Sequence, residues 1–332
     1  MLLALCTGAA FLASLLLPFG FIPLLRRLGV LDIPNERSSH TKVVIRGVGV
    51  TIAAGVLLGL ALSLLTGLVA VDRSIVLILA VLIAAASLLG WIEDFRGLSV
   101  RVRAGLQLLL GILGTAALVW TMEQSYWWVP VGALAIAGYI NVANFMDGVN
   151  GISGLHGMAV GILYTVGGVL GDQAWMTAAG AVTAAAFAAF LPWNLGRGSV
   201  FMGDVGSYLL GASVSGIAVA AFLAGVNVEY LLFPVLIYLA DTFSTLLMRV
   251  SRGERWYAAH RQHVYQRLTD AGLSHLQSAA VVTLCTVLTG AAGIVVAEAG
   301  AAPKVAVTLF ALAVVVLYLL SPRIFRRQRT SV

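Results

Sequence analysis

Residues 141–151, Asn-Val-Ala-Asn-Phe-Met-Asp-Gly-Val-Asn-Gly, form a polar patch in a chain that is otherwise mostly apolar. Three amide side chains, Asn141, Asn144 and Asn150, and one carboxylate, Asp147, fall within this stretch. Asn141, Asn144 and Asp147 follow one another at three-residue steps, a spacing that predicts a shared helix face. Gly148 and Gly151 break the helix and let the backbone approach a ligand. Amide carbonyls and carboxylates are hard oxygen donors that suit Mg²⁺, which takes one or two protein groups plus substrate phosphates. A polar loop between two membrane helices would present the same residues without a ligand, so the patch alone leaves both readings open.

Further polar groups recur along the chain. In residues 192–207, Asp204 lies between Gly203 and Gly206, and Ser207 is placed to cap the helix that follows. Helix N-termini attract phosphate, and an Asp there would reach a cation bridging to it. The same Gly-Asp-x-Gly-Ser run is also an ordinary turn. Glu93 and Asp94 are adjacent acids at the end of an apolar run. Their repulsion would let one keep its proton near neutral pH and serve as a base; Mg²⁺ binding and pairing with Arg96 are the alternatives. Arg37, His40, Lys42 and Arg46 make residues 31–50 either a phosphate-facing surface or ordinary membrane-flanking charge. His260 and His263, with Arg261 and Arg267, form an incomplete zinc set but suit a phosphate-bearing headgroup or pyrophosphate. Asp241 lies within an apolar span, where an acid is a functional suspect and helix packing with Thr242 or Ser244 the plain alternative.

These groups must be held by helices in a membrane. Of 332 residues, 60% are hydrophobic and 10% charged, and the mean hydropathy is +0.99, outside the range of a soluble domain of this size. Apolar runs long enough to span a bilayer occupy 2–24, 47–70, 74–92, 104–121, 128–143, 155–170, 174–192, 200–225, 229–249, 277–298 and 304–321. The expected fold is therefore an all-α polytopic membrane protein of about eleven transmembrane helices, a single domain over 1–332 with no internal repeat. With the N-terminus outside and the C-terminus cytoplasmic, every Lys and Arg except Arg73 and Lys304 falls inside, as the positive-inside rule requires. The same orientation gathers Glu93, Asp94, the 141–151 patch, Asn194, Asp204, His260 and His263 on the cytoplasmic face. Tyr126, Trp127 and Trp128 read as an interfacial anchor on the other. A pI near 9.6 then reflects membrane topology and predicts no nucleic-acid partner. The start of the chain has no basic residue ahead of its first apolar run and does not read as a cleavable signal. Cys6 and Cys285 both lie in apolar stretches, which argues against a disulfide framework or a metal knuckle.

Taken in this order, the motifs resemble those of the polyprenyl-phosphate N-acetylhexosamine-1-phosphate transferases, the MraY/WecA-like glycosyltransferase 4 family. The likeness spans about residues 25 to 270 and rests on five runs. These are Asp-x-Pro-Asn-x-Arg-Ser-Ser-His from Asp32, the acid pair at 93–94, Asn-x-x-Asn-x-x-Asp-Gly-x-Asn-Gly from Asn141, Phe-Met-Gly-Asp-Val-Gly-Ser from Phe201, and His-Arg-Gln-His-Val-Tyr-Gln-Arg-Leu from His260. The last is similar to the WbpL-like O-antigen-initiating branch. The resemblance implies Mg²⁺ (Mn²⁺ substituting) on Asp204 with Asn144 and Asp147 nearby, and uracil stacking on Phe201. It implies nucleoside contacts from Asn194 and Asn150, lipid-phosphate handling by Glu93 and Asp94, and a grip on the diphosphate or lipid head by His263 and Arg261. Asn141, His260, Arg37, His40 and Arg103 complete the expected substrate-binding set. The chain departs from the family pattern at Glu93, where an Asp is usual, and at Tyr265 and Gln266, where WecA-like members carry histidines; the latter favours the branch using modified N-acetylated sugars.

The implied reaction joins a UDP-N-acetylhexosamine to undecaprenyl phosphate, giving undecaprenyl-diphosphate-sugar and UMP at the cytoplasmic face of a bacterial inner membrane. It would be a first membrane step of O-antigen or other envelope polysaccharide synthesis, with a homodimer among the partners allowed for. Phosphoryl transfer needs charge neutralisation and alignment more than covalent chemistry; an aspartyl intermediate would require another carboxylate in line. The rival class is a solute transporter, which predicts paired repeats and acids near the midplane. A CDP-alcohol-type phosphotransferase would need a dense aspartate run, and the sequence has none. Within the family, UDP-GlcNAc and a 6-deoxy N-acetyl sugar remain the competing donors.

Overall fold

Among the described residues, ten helical segments are long and apolar enough to cross a membrane, and the shorter apolar helix Gly49–Leu65 accompanies them, in agreement with the eleven expected spans. The computed structural model describes residues 1–32, 43–196, 200–254 and 260–329; Arg37 and His40 lie outside them. In chain order come α1 (Leu2–Arg27), the short strands β1 (Leu31–Asp32) and β2 (Val44–Ile45), α2 (Gly49–Leu65), α3 (Arg73–Arg96) and α4 (Val100–Thr121). There follow α5 (Trp128–Met146), α6 (Ile152–Leu170), α7 (Ala174–Leu195), α8 (Gly203–Leu223), α9 (Val228–Leu232), α10 (Leu236–Ser251), α11 (Val264–Asp270), α12 (His275–Glu298) and α13 (Ala301–Arg329). The span expected as one helix over 229–249 is broken between α9 and α10 by a 3₁₀ turn, Phe233–Val235. Pro234 explains the break, since its ring removes a helical N–H and crowds the preceding turn.

α8 runs through the centre and is buried along nearly its whole length. Its small residues, Gly-Ala-Ser-Val-Ser-Gly at 211–216, let neighbouring backbones come close. It packs on α3 and α5, with α2 against its N-terminal end. That end is pinned by an irregular segment: Phe201 N donates to Ile45 O at 2.9 Å, and Gly49 N donates to Met202 O at 2.9 Å. Ile45 and Val200 form a parallel bridge. β1 and β2 pair antiparallel, a minor departure from an all-helical chain.

At Gly90, α3 lies directly against the backbone at the start of α8. A Cβ added there would fall within 2.6 Å of Val205 N and closer still to the Asp204 carbonyl. Gly90→Ala must therefore push the start of α8 away, at a cost of about 1–3 kcal/mol. The expected result is a lower thermal midpoint in detergent, whereas Gly105→Ala, which meets open space inside α4, leaves the midpoint unchanged or slightly raised.

Candidate active site

The N-terminus of α8 is held by a carboxylate from the end of α3. Asp94 accepts the backbone N–H of Asp204 at 2.9 Å and that of Val205 at 3.0 Å, using both oxygens. Exposed N–H groups and the positive end of the helix dipole make this a favourable place for an anion. Gly203, with φ near +73°, turns the chain tightly enough for Asp94 to reach. Arg46, just after β2, closes the arrangement: its Nε lies 2.6 Å from Asp94 Oδ1 and its Nη2 2.6 Å from Asp204 Oδ2. The Asp94 side chain is wholly buried, so the cap and the guanidinium together offset its desolvation. From α5, Asn144 Nδ2 donates to Asp204 Oδ1 at 2.6 Å and to Ser207 Oγ at 3.0 Å. Three segments distant in sequence thus converge on Asp204.

Beside Asp204 opens a cavity of about 250 Å³ walled by Arg46, Asn144, Asp147, Asn150, Phe201 and Asp204, with Asn194 and Gln266 at its edge. Asp147 stands just beyond the last helical residue of α5 and accepts the Ser153 hydroxyl at 2.7 Å. Burial raises its pKa to about 6, opposed by the Ser153 bond and reinforced by the nearby Asp204 charge. Asn150 turns a buried Oδ1 that has no protein partner, an acceptor that calls for a donor or a cation. Asn144, Asp147, Asn150 and Asp204 are hard oxygen donors on one wall. Among the described residues no group of three or more His, Cys, Asp or Glu could cage a metal. That combination fits Mg²⁺ completed by substrate phosphates rather than a closed structural metal site.

The expected shared face of Asn141, Asn144 and Asp147 divides in the structure. Asn141 Nδ2 donates to Gln107 Oε1 at 2.6 Å and to Ala137 O at 2.8 Å, away from the cavity that Asn144 and Asp147 line. Six residues turn a helix through roughly 600°, which leaves the first and last positions about 120° apart. Asn141 instead joins Arg103 at the polar end of an apolar cleft of about 600 Å³ along α4, α5, α8 and α10. Phe145, Leu134, Val219, Leu239 and Phe243 line it. Arg103 Nη1 is 3.5 Å from Glu93 Oε1, and Glu93 Oε2 is buried without a partner. The adjacent acids therefore part company: Asp94 turns to the α8 terminus and Glu93 to Arg103.

Asn194 spends both polar atoms on backbone, accepting from Gly151 N and donating to Val200 O at 2.8 Å. It braces the cavity wall where the resemblance implies a nucleoside contact. Phe201 lines the cavity. In the last loop, His263 is buried behind the wall, with Nδ1 3.0 Å from Asp241 Oδ1. Arg261 pairs with Asp270 at 3.1 Å. Burial, then the neighbouring His263 and Arg249, lowers the His260 pKa to about 4, so that ring is neutral at physiological pH. The sequence offers no signal for Ser153, marks Gln266 only as a departure from the family pattern and Arg46 only as one of several loop charges. Gln266 did carry a signal: three residues after His263, it accepts that residue's N–H at 3.2 Å, as the last member of a capping box does.

Residues 75–222 match the model of glycosyl transferase family 4, a stretch that includes Asp94, the 141–151 patch and Asp204. A Bacillus subtilis (strain 168) protein named "Probable undecaprenyl-phosphate N-acetylglucosaminyl 1-phosphate transferase" is 27% identical over 83% of this chain and 80% of its own length. Proteins named undecaprenyl-phosphate alpha-N-acetylglucosaminyl 1-phosphate transferase are similar at 26% identity in Yersinia pestis, over 81% of this chain and 77% of that one, and in Escherichia coli (strain K12), over 87% and 82%.

Proposed function

We propose that this chain is a transferase of the glycosyl transferase family 4 type, moving an N-acetylated sugar-1-phosphate from a UDP-sugar to undecaprenyl phosphate and releasing UMP; the match over residues 75–222 and the similar transferases support this reading. The supporting observation is the pair of chambers that meet at the end of α5. Asn144 and Asp147 face a cavity whose polar lining suits a diphosphate, while Asn141 and Phe145 face a cleft whose apolar lining suits an isoprenoid chain. A lipid acceptor offers its phosphate only at the bilayer surface, so a site at the helix ends suits it. The distribution of Lys and Arg supports placing that surface on the cytoplasmic side, and the bacterial relatives support an inner membrane.

Mg²⁺ held by Asp204, with Asn144 and Asp147 beside it, would neutralise the diphosphate oxygens and ease departure of UMP. The protein groups supply alignment. Arg46 presents a guanidinium at the cavity wall, and the unpaired Asn150 carbonyl accepts a donor from the nucleoside or sugar. Arg103 at the mouth of the cleft holds the acceptor phosphate, with Glu93 next to it to take any remaining proton. The acceptor oxygen then attacks the β-phosphorus as the bond to UMP breaks. Phe201 offers a flat apolar surface for uracil. The relatives' names point to UDP-GlcNAc as the first donor to try, and Tyr265 and Gln266 keep a 6-deoxy N-acetyl sugar in contention.

The test is UMP release by the protein purified in detergent, with undecaprenyl phosphate, Mg²⁺ and a panel of UDP-N-acetylhexosamines. Release that requires both lipid and Mg²⁺ is expected. A folded protein that binds a solute yet releases no UMP from any donor would sink the reading and raise the transporter alternative.

A further inference from the structure

Asp241 lies in α10 with its side chain fully buried, a costly place for a carboxylate unless every lone pair is engaged. Oδ1 accepts from His263 Nδ1 and from Val264 N, both at 3.0 Å. Oδ2 accepts from Tyr265 N at 3.3 Å and from the Tyr318 hydroxyl at 2.6 Å. One carboxylate therefore ties α10 to the start of α11 and to α13. His263 is flanked by Phe145, with ring centroids 6.3 Å apart, and by Tyr265, at 5.7 Å. Phe145 and Thr242, the neighbour of Asp241, line the apolar cleft. Gln266, one turn after His263, lines the polar cavity. His263, nearly fully buried, thus lies between Phe145 on the apolar cleft and Gln266 on the polar cavity.

From this juxtaposition we infer that Asp241 is a positioning residue for phosphoryl transfer, holding His263 by Nδ1 between cleft and cavity and leaving Nε2 to the phosphate oxygens. The inference rests on the transferase reading. A carboxylate on Nδ1–H selects one tautomer and one ring orientation, which turns Nε2 away from Asp241. Tyr318 and the two backbone donors hold the carboxylate itself, so the ring inherits the rigidity of three helices.

Asp241→Asn is expected to lower kcat for UMP release about 100-fold, while the affinity for the UDP-sugar in equilibrium binding stays within about threefold. If Asp241 acts through His263, the double variant Asp241→Asn/His263→Gln is no slower than His263→Gln alone; additive losses overturn the inference. A measurement that needs neither activity nor a variant is ¹⁵N-histidine NMR of the wild-type protein. It is expected to show His263 protonated at Nδ1, and an Nδ1 without a proton overturns the assignment. Absence of UMP release by the wild type would count against the function; a wrong tautomer or additive kinetics would count against Asp241.

Discussion

Asp204→Asn is expected to lower UMP release by at least about 1,000-fold at saturating lipid and Mg²⁺, the scale of losing a centre of electrostatic stabilisation in phosphoryl transfer. The substitution keeps the shape of the side chain but removes the charge on which the cavity converges. Asn144 and Arg46 both turn their polar groups to that carboxylate. The fold should survive, because Asp94 still caps the backbone N–H groups of residues 204 and 205 and still pairs with Arg46. The check is kcat alongside the thermal midpoint, with Mg²⁺-induced thermal stabilisation as a separate readout. Lost kcat, lost stabilisation by Mg²⁺ and a retained midpoint are expected together. Near-normal kcat in Asp204→Asn would remove this residue from the reacting centre.

Asp94→Ala should behave differently, costing stability and activity at once. It removes the acceptor for two helix-terminal N–H groups and leaves Arg46 with one carboxylate in place of two. Losing one partner of a buried ion pair and its hydrogen bonds costs about 2–4 kcal/mol here, allowing for the partial exposure of Arg46. The thermal midpoint should fall markedly and UMP release should fall with it, since the start of α8 carries Asp204. Were Asp94 instead a base acting directly on the lipid phosphate, Asp94→Ala would lose turnover in a protein of unchanged midpoint. Glu93→Gln supplies the contrast: Glu93 meets Arg103 rather than a helix end, so its loss should alter turnover with little change in stability.

Several elements were legible before any coordinates. Apolar run length predicts the spans but not the break at Pro234, where a long hydrophobic stretch masks one proline. The motifs around Asn144, Asp147 and Asp204 predict a shared oxygen-rich site, and these residues do line one cavity. Asn141 was misplaced because three-residue spacing was treated as an exact helical repeat, when each step falls short of a full turn. The different fates of Glu93 and Asp94 could not be read from an adjacent pair. Neighbouring helical residues point about 100° apart, and what each meets depends on which helices lie on either side.

The sequence by itself determined the class of molecule, the number of membrane crossings and the inventory of chemical groups at one end of them. These follow from hydropathy, charge distribution and residue type, which are properties of the chain read in one dimension. Only the tertiary structure decided which acid faces the cavity, which one caps a helix and which histidine is held by Asp241. Those roles depend on contacts between residues such as 46, 94 and 204, or 241, 263 and 318. Separations that long are bridged by helix packing, and hydrogen-bond geometry at the few ångströms where the helices meet assigns each carboxylate its partner.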